Sequence, residues 1–214
     1  MVYGLNVKPI YGHYTSVESL DDRFDKHFML KKQFQPPLPM KDGKVDFSAI
    51  KCALPAKMKW KDSAGRQMPD FDPIPDLNIS ERAKQVIEDL EPGVHKFESV
   101  EYTYSRGGRT ENRYWLKMGN EIDSLDREHT TMVLQEGTQW VSTSDLLRRG
   151  LPIPPHIDPE QKARLVFNLA QIGNRHMWYD PLLNRGSVFL SDRMAQAFQD
   201  AGLTGIKWSK SDSV

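Results

Sequence analysis

The 214-residue chain has very little of what several large classes of protein require. Its single cysteine, Cys52, cannot form an intramolecular disulfide, and one thiolate is too few for a cysteine-rich zinc site. No stretch approaches the roughly 18 consecutive apolar residues of a membrane helix. The chain also opens without the basic-then-apolar leader of a secreted protein. These absences predict a cytoplasmic protein that does not span a membrane.

A net charge of one sign is also missing, because 29 basic residues balance 29 acidic ones. Binding to phosphate backbones needs a clear cationic surplus, so we predict no general affinity for nucleic acid. The charges are nevertheless unevenly distributed. Residues 67–136 carry 8 basic and 15 acidic side chains, so the middle third of the chain is acidic.

The common catalytic motifs are absent as well. The sequence has no G-x-S-x-G elbow, no phosphate-binding loop, no G-x-G-x-x-G turn and no H-E-x-x-H helix. Its six histidines are scattered, and no two have the i, i+3 or i, i+4 spacing that would place them on one helix face for a metal. We therefore predict a protein that is not an enzyme and that has no catalytic residues, metal or cofactor.

One short segment leaves an enzymatic alternative open. Residues 11–15 (YGHYT) place His13 beside hydroxyl side chains, as ADP-ribosyltransferases do when they bind nicotinamide ribose. An ordinary aromatic strand explains the same residues, and we favour that interpretation.

Enough apolar material is present for a folded core, since 38% of residues are hydrophobic and 27% are charged. The least regular part comes first. Residues 35–40 contain three prolines and indicate an extended segment, and Asp42-Gly43 indicates a turn. We predict an irregular extension over residues 1–75 and an α+β domain over residues 76–214.

The clearest local signal is a strand, a serine and a helix that follow directly on one another. The apolar run 77–79 precedes Ser80, which is a preferred N-cap, and Glu81 favours the positive end of the helix dipole. Apolar residues then recur at helical spacing until Pro92-Gly93. The same order returns at Leu190-Ser191-Asp192-Arg193, 111 residues later. Gene duplication and convergence on good capping chemistry both explain this repeat.

Between these two units the pattern predicts a hairpin and two helices. Val100, Tyr102 and Tyr104 alternate on one strand, and Gly107-Gly108 predicts the turn to the next. Ser144–Arg149 predicts a short helix closed by Gly150. Asp158 as cap with Pro159 behind it predicts a longer helix that ends at Gly173. The fold class is therefore α+β, with a small antiparallel or mixed sheet packed against helices.

Three features suggest a binding surface, and each has a plainer explanation. The acidic stretch 121–128 is either a solvated face or a partner site. Arg106-Gly107-Gly108-Arg109 suggests contact with phosphates, but a hairpin turn with solvated arginines explains it more simply. Trp140 is either an interface anchor or core, and core is favoured.

Five segments, taken in order, carry a resemblance to a known family: residues 77–87, 92–97, 122–126, 188–192 and 201–206. They resemble the myxobacterial-type immunity protein family of bacterial polymorphic toxin systems. The resemblance implies a protein that binds and neutralises a cognate toxin, delivered by contact-dependent or type VI secretion in competition between bacteria. An adaptor that loads a secreted effector is the alternative. On this interpretation we predict seven toxin-binding residues: Glu121, Asp123, Asp126, Glu128, Trp140, Arg106 and Arg109.

Overall fold

The computed structural model describes residues 1–7, 17–21, 40–41, 44–45, 54–61, 66–72, 77–155, 157–183 and 187–214. The motif at residues 11–15, the proline-rich run 35–39 and the turn at 42–43 lie outside these ranges. The boundary predicted near residue 75 also falls in a gap between them. Among the helices described, none is long and apolar enough to cross a membrane.

The described part of the chain contains fifteen strands and four helices. The strands are β1 (Val2–Val7), β2 (Val17–Ser19), β3 (Met40–Lys41), β4 (Lys44–Val45), β5 (Lys57–Trp60), β6 (Phe71–Asp72), β7 (Asn78–Ser80), β8 (Lys96–Tyr104), β9 (Thr110–Lys117), β10 (Val133–Gln135), β11 (Gln139–Val141), β12 (Val166–Phe167), β13 (Met177–Tyr179), β14 (Val188–Ser191) and β15 (Ile206–Ser213). The helices are α1 (Glu81–Leu90), α2 (Thr143–Arg148), α3 (Leu169–Ile172) and α4 (Asp192–Asp200).

Six strands form one mixed sheet in the order β2-β5-β8-β9-β7-β6. Its centre is the predicted hairpin of β8 and β9, which turns through Gly107 and Gly108, both at positive φ. Each face of this hairpin contributes buried side chains. Val100 and Tyr102 lie on one face with Trp115, whereas Leu116 lies on the other. The hairpin therefore separates two hydrophobic clusters.

Five strands form the second sheet in the order β12-β15-β1-β14-β13. Its middle strand is β1, which pairs antiparallel with β14 and β15 from the C-terminal part of the chain. In the other sheet, β5 pairs with β8 and β6 pairs with β7. Four of the described strands before residue 75, namely β1, β2, β5 and β6, thus lie within the same two sheets as strands after it, whereas β3 and β4 pair only with each other in a two-stranded sheet.

Helices α1 and α4 pack against each other and connect the sheets. Helix α1 contacts β7 and β9, and α4 contacts β14 and β1. The largest hydrophobic cluster takes its side chains from both sheets and both helices, including Ile79, Ile87, Leu190, Met194 and Phe198. The predicted α+β class, with mixed sheets and short helices, is confirmed.

The two strand-serine-helix units have the same local geometry. Ser80 and Ser191 have nearly identical backbone angles, with φ −71° and ψ 163° in one and φ −67° and ψ 161° in the other. Each hydroxyl accepts a hydrogen bond of 3.2 Å from the amide three residues later, that of Ala83 or Met194. Both predicted caps are confirmed, and so is the short helix before Gly150, which begins at Thr143.

The long helix predicted from Asp158 to Gly173 is wrong. Residues 158–165 have no regular helix, Val166 and Phe167 form β12, and only Leu169–Ile172 is helical, with Asn168 as its cap. Residues 166–167 instead pair in parallel with residues 212–213 of β15, and both side chains are fully buried. A β-branched and an aromatic residue suit a strand, and the sheet pairing outweighs the accidental helical spacing.

A buried carboxylate, Asp70, connects the two strand-serine-helix units. Its oxygens accept hydrogen bonds from the Ser80 hydroxyl (2.7 Å), the Arg82 guanidinium (2.9 Å) and both the amide and the hydroxyl of Thr204 (2.8 Å each). Thr204 lies between α4 and β15, so Asp70 joins α1 to the second sheet. The backbones approach closely here, because a Cβ on Gly205 would lie 2.3 Å from the Phe71 carbonyl oxygen.

A second carboxylate, Glu91, makes the equivalent connection at the other end of α1. It accepts hydrogen bonds from the His95 ring (2.8 Å), the Asn120 amide group (3.0 Å) and the backbone amide of His176 (2.7 Å), which precedes β13. Burial acts to raise the pKa of Glu91, but these hydrogen bonds outweigh burial and lower it. At Asp70, too, the hydrogen bonds to the carboxylate outweigh its burial and lower its pKa. Both groups are therefore carboxylates in the folded protein at neutral pH.

Replacing Asp70 should measurably destabilise the fold. We expect Asp70→Asn to reduce the free energy of unfolding at pH 7 by about 2–3 kcal/mol, because the amide cannot accept from all four donors. Folding lowers this pKa, so the contribution is present above the unfolded value of about 4 and is lost as pH falls through the lower folded value. Urea unfolding at pH 7 and pH 3 should show the deficit shrinking in acid.

The matched control is Asp89→Asn, on the exposed face of α1, where Gln85 is the hydrogen-bond partner of the carboxylate among the described residues. Its free energy of unfolding should stay within about 0.5 kcal/mol of the parent at both pH values. Equal losses in the two variants would contradict the role assigned to Asp70.

Candidate functional site

The acidic stretch 121–128 lies against the edges of the five-stranded sheet. Glu121 forms a bridge with Tyr179 of β13, and Leu125 forms one with Phe167 of β12. Since β13 and β12 are the two outer strands of that sheet, the stretch joins its opposite edges. Leu125 is fully buried, as is Ser124. The stretch is thus partly a structural crossing and only partly a solvated face.

The side chains of Asp123 and Asp126 make contacts within the chain. Asp123 pairs with Arg127 at 2.8 Å. Asp126 accepts hydrogen bonds from the His129 ring (2.7 Å), the His129 amide (2.9 Å) and the Glu128 amide (3.1 Å). These bonds, led by that of the His129 ring, lower the pKa of Asp126. Asp126 therefore holds the turn that presents residues 127–129 to solvent.

The other two acids differ in exposure. Glu121 is half-buried beside β13. Glu128 is exposed, and its carboxylate has no hydrogen-bond or ion-pair partner within the described ranges. Of the four predicted acids, Glu128 is therefore the one most available to a partner.

The buried side chain of Asp180, which sequence reasoning did not single out, holds the acidic stretch 121–128 in position. One Asp180 oxygen accepts hydrogen bonds from the amide (2.8 Å) and hydroxyl (2.7 Å) of Ser124, and the other from the Leu182 amide (2.9 Å). Burial raises the pKa of Asp180 despite these bonds. Position 180 follows three buried residues of β13, a place where a polar side chain needs an internal partner.

Trp140 lies in the core. It is 5% exposed and belongs to a cluster with Phe167, Trp178 and Phe189. Trp115, on β9 of the six-stranded sheet, is also buried. These large rings fill the interior, as the favoured interpretation of the sequence predicted, so Trp140 contributes to the surface only indirectly.

The two predicted arginines lie at the turn of the β8–β9 hairpin. Arg106 is exposed and has no hydrogen-bond or ion-pair partner among the described residues. Arg109 is different: its guanidinium carbon lies 4.4 Å from the centre of the Tyr104 ring, and its Nη2 lies 3.4 Å from Glu111. The Arg109 side chain is still 57% exposed. One arginine is thus held in place and the other is not.

The acidic stretch and the arginines lie at opposite ends of the hairpin. The ladder between β8 and β9 runs from the pair Lys96–Lys117, next to the acidic stretch, to the pair Thr103–Thr110, next to the turn. Seven residue steps at about 3.4 Å separate these pairs by about 24 Å. The seven predicted residues therefore do not form one compact patch, and each group must be considered separately.

Arg113, which sequence reasoning missed, is fully buried beneath the arginine end. It donates to the Asn78 side chain (2.7 Å), the Pro69 carbonyl (2.6 Å) and Glu111 (3.0 Å). The available signal was strand alternation, because Arg113 lies two residues before Trp115 on β9 and opposite Val100 of β8. A charged residue on this buried face requires fixed partners.

A half-buried serine–histidine pair resembles part of a catalytic triad but lacks its geometry. His176 Nδ1 lies 2.8 Å from Ser191 Oγ. The Ser191 hydroxyl already accepts the Met194 amide as a helix cap, and Glu91 binds the His176 backbone rather than its ring. A general base needs an orienting partner on its second ring nitrogen, and Glu91 does not supply it. The arrangement is that of a structural network.

No group of three or more His, Cys, Asp or Glu side chains within the described ranges is close enough to bind a metal ion.

Comparison with known proteins identifies one family. The family model described as "Immunity protein family (Imm11)" matches residues 14–213, which is nearly the whole chain. The comparison with curated proteins gives no match.

Trp140 should behave as a core residue under mutation. We expect Trp140→Ala to lower the free energy of unfolding by about 3–5 kcal/mol, because a large buried ring leaves a cavity. Glu128→Ala, on the exposed turn, should change it by less than about 0.5 kcal/mol. Chemical denaturation of both variants tests this, and a Trp140→Ala variant as stable as the parent would show that the ring is not part of the core.

Proposed function

Because the chain belongs to the Imm11 immunity protein family, we propose that it binds a cognate bacterial toxin in the cytoplasm and neutralises it by covering the toxin's active site. The family match over residues 14–213 is the observation that carries this proposal. The toxin would be a polymorphic toxin delivered between competing bacteria by contact-dependent or type VI secretion. On this proposal the chain acts by docking and performs no chemistry of its own.

The arrangement of polar groups supports docking as the mode of action. The most elaborate polar networks, around Asp70, Glu91 and Arg113, are buried and connect elements of the scaffold. They leave little freedom for movement, which suits a rigid protein that offers a preformed surface to a partner. Such pre-organised interfaces typically bury about 1,600 Å² in total.

We further propose that the turn at 127–129 and the adjoining acids Glu121 and Asp123 contact a basic region of the toxin. Glu128 is the exposed acid of this surface, and Asp126 fixes its position. Three other acids of the middle third, Asp70, Asp72 and Glu91, are buried and add little to the external field. The negative surface is therefore smaller than the sequence count indicates, and its main effect would be on association rate.

Co-expression tests the proposed function. Cells that produce the toxin encoded beside this gene should survive when the chain is also produced, and the two proteins should co-purify. Death despite co-expression and co-purification would favour the alternative adaptor function, because an adaptor binds its effector without silencing it. Death without co-purification would contradict both.

The contribution of the acidic turn can be tested by charge reversal. We expect Glu128→Lys to slow association with the toxin by about 2- to 5-fold at low salt and to reduce the dependence of the rate on salt. Stopped-flow or surface-binding kinetics at several salt concentrations measure this. Glu128 is a cleaner probe than Asp123 or Asp126, since those two carboxylates also hold the turn.

The matched control is Asp200→Lys, an equal change of charge at the exposed end of α4. It should leave the association rate and its salt dependence close to those of the parent chain. Equal effects of the two substitutions would show that only net charge matters and would remove the acidic turn from the proposal.

A further inference from the structure

We infer that Arg109 is a pre-organised anchor that binds a carboxylate of the partner protein, at a second contact site on the tip of the β8–β9 hairpin. The inference rests on the proposed toxin binding and adds to it the chemistry of a second contact. Its basis is a set of contacts that restrain the exposed Arg109 side chain while leaving its positive charge available to a partner.

The first element of this basis is the restraint on the side chain. The guanidinium of Arg109 stacks on the Tyr104 ring at 4.4 Å, and the Tyr104 ring is itself 6% exposed and held in a hydrophobic cluster. A free surface arginine loses much rotamer freedom when it binds. Arg109 has lost part of that freedom before any partner arrives, which favours tight binding.

The second element is the balance of charge around Glu111, the carboxylate that contacts Arg109 within the described part of the chain. Glu111 already pairs with buried Arg113 at 3.0 Å and accepts the Tyr104 hydroxyl at 2.5 Å. The contact from Arg109 is longer, at 3.4 Å. One carboxylate thus faces two guanidiniums, and the buried one has the better contact. The positive charge of Arg109 is left in excess at the surface.

The third element is the neighbouring charge at the same end of the sheet. Lys61 follows β5 and is paired with Glu18 at 2.9 Å. Arg106 has no ion-pair partner among the described residues and adds a second positive charge three positions before Arg109. The hairpin tip is therefore cationic, and only Arg109 of these two arginines is held against a ring.

A carboxylate on a protein suits this site better than a nucleic acid does. A planar guanidinium pairs with one carboxylate through two parallel hydrogen bonds. A nucleic acid would instead require a row of cations along its phosphates, whereas the hairpin turn itself carries two arginines. Arginine is also among the residues that most often dominate protein interfaces.

The position of the site gives it a further consequence. It lies at the far end of the hairpin, about 24 Å along the ladder from the Lys96–Lys117 pair that precedes the acidic stretch, as estimated from the strand rise, and its charge is opposite to that of the acidic turn. A toxin that contacts both sites must present a basic region and an acidic group at a matching separation. Two contacts of opposite sign fix the orientation of docking, which one charged patch does not.

Binding of the purified toxin to three variants of the full chain tests the inference. We expect Arg109→Gln to raise the Kd about 10- to 30-fold, mostly through faster dissociation. Arg109→Lys should recover only part of this loss, because lysine keeps the charge but lacks the planar stacked group. Arg106→Gln, the comparison variant at the same turn, should raise the Kd by less than about 3-fold, in line with an unrestrained surface charge. Equal melting temperatures would show that all three variants fold.

Three results would overturn the inference while leaving the proposed function in place: equal losses of affinity for Arg109→Gln and Arg106→Gln, a parent-like Kd for Arg109→Lys, or an unchanged Kd for Arg109→Gln. A 12-nucleotide single-stranded RNA that binds the parent chain and is released by Arg109→Gln would overturn it in favour of phosphate binding. A parent chain that does not bind the toxin at all would instead reject the proposed function, and the inference with it.

Discussion

Two buried carboxylates hold the sheets of this protein in a single arrangement. A charge removed from water is costly unless nearly all of its hydrogen-bonding capacity is met. Asp70 meets it with donors from α1 and from the loop after α4, and Glu91 meets it with donors from three separate segments. A shift of one sheet relative to the other would leave these charges unpaired, so the hydrophobic clusters can pack in only one register.

The same constraint shapes the surface that a toxin would contact. Acids that are needed internally do not contribute to an external field, and the acidic third of the chain therefore presents fewer free carboxylates than it contains. What remains is a small acidic turn organised by Asp126 and, at the far end of the hairpin, an arginine organised by Tyr104 and Glu111. In both places a buried or half-buried group positions an exposed one. The proposed function thus depends on residues that a partner never touches.

Features that depend on neighbours in the chain were predictable from the sequence. Ser80 and Ser191 cap their helices because a serine hydroxyl reaches the amide three residues later, whatever surrounds it. The hairpin turn follows equally from Gly107 and Gly108, which adopt positive φ without cost. The order of these local units also carried the resemblance to the immunity family, and the family match bears it out.

The rest was decided by contacts between residues far apart in sequence. Residues 166–167 form a strand instead of a helix because β15 offers them a pairing edge, which helical spacing alone does not reveal. The acidic stretch crosses between two sheet edges, and the arginines lie at the far end of the β8–β9 hairpin, whose ladder is about 24 Å long by the rise per strand residue. By itself the sequence determined the caps, the turn, the fold class and the family, since these depend on short segments and their order. Only the tertiary structure decided which charges are buried and which remain for a partner, because burial depends on how the whole chain packs.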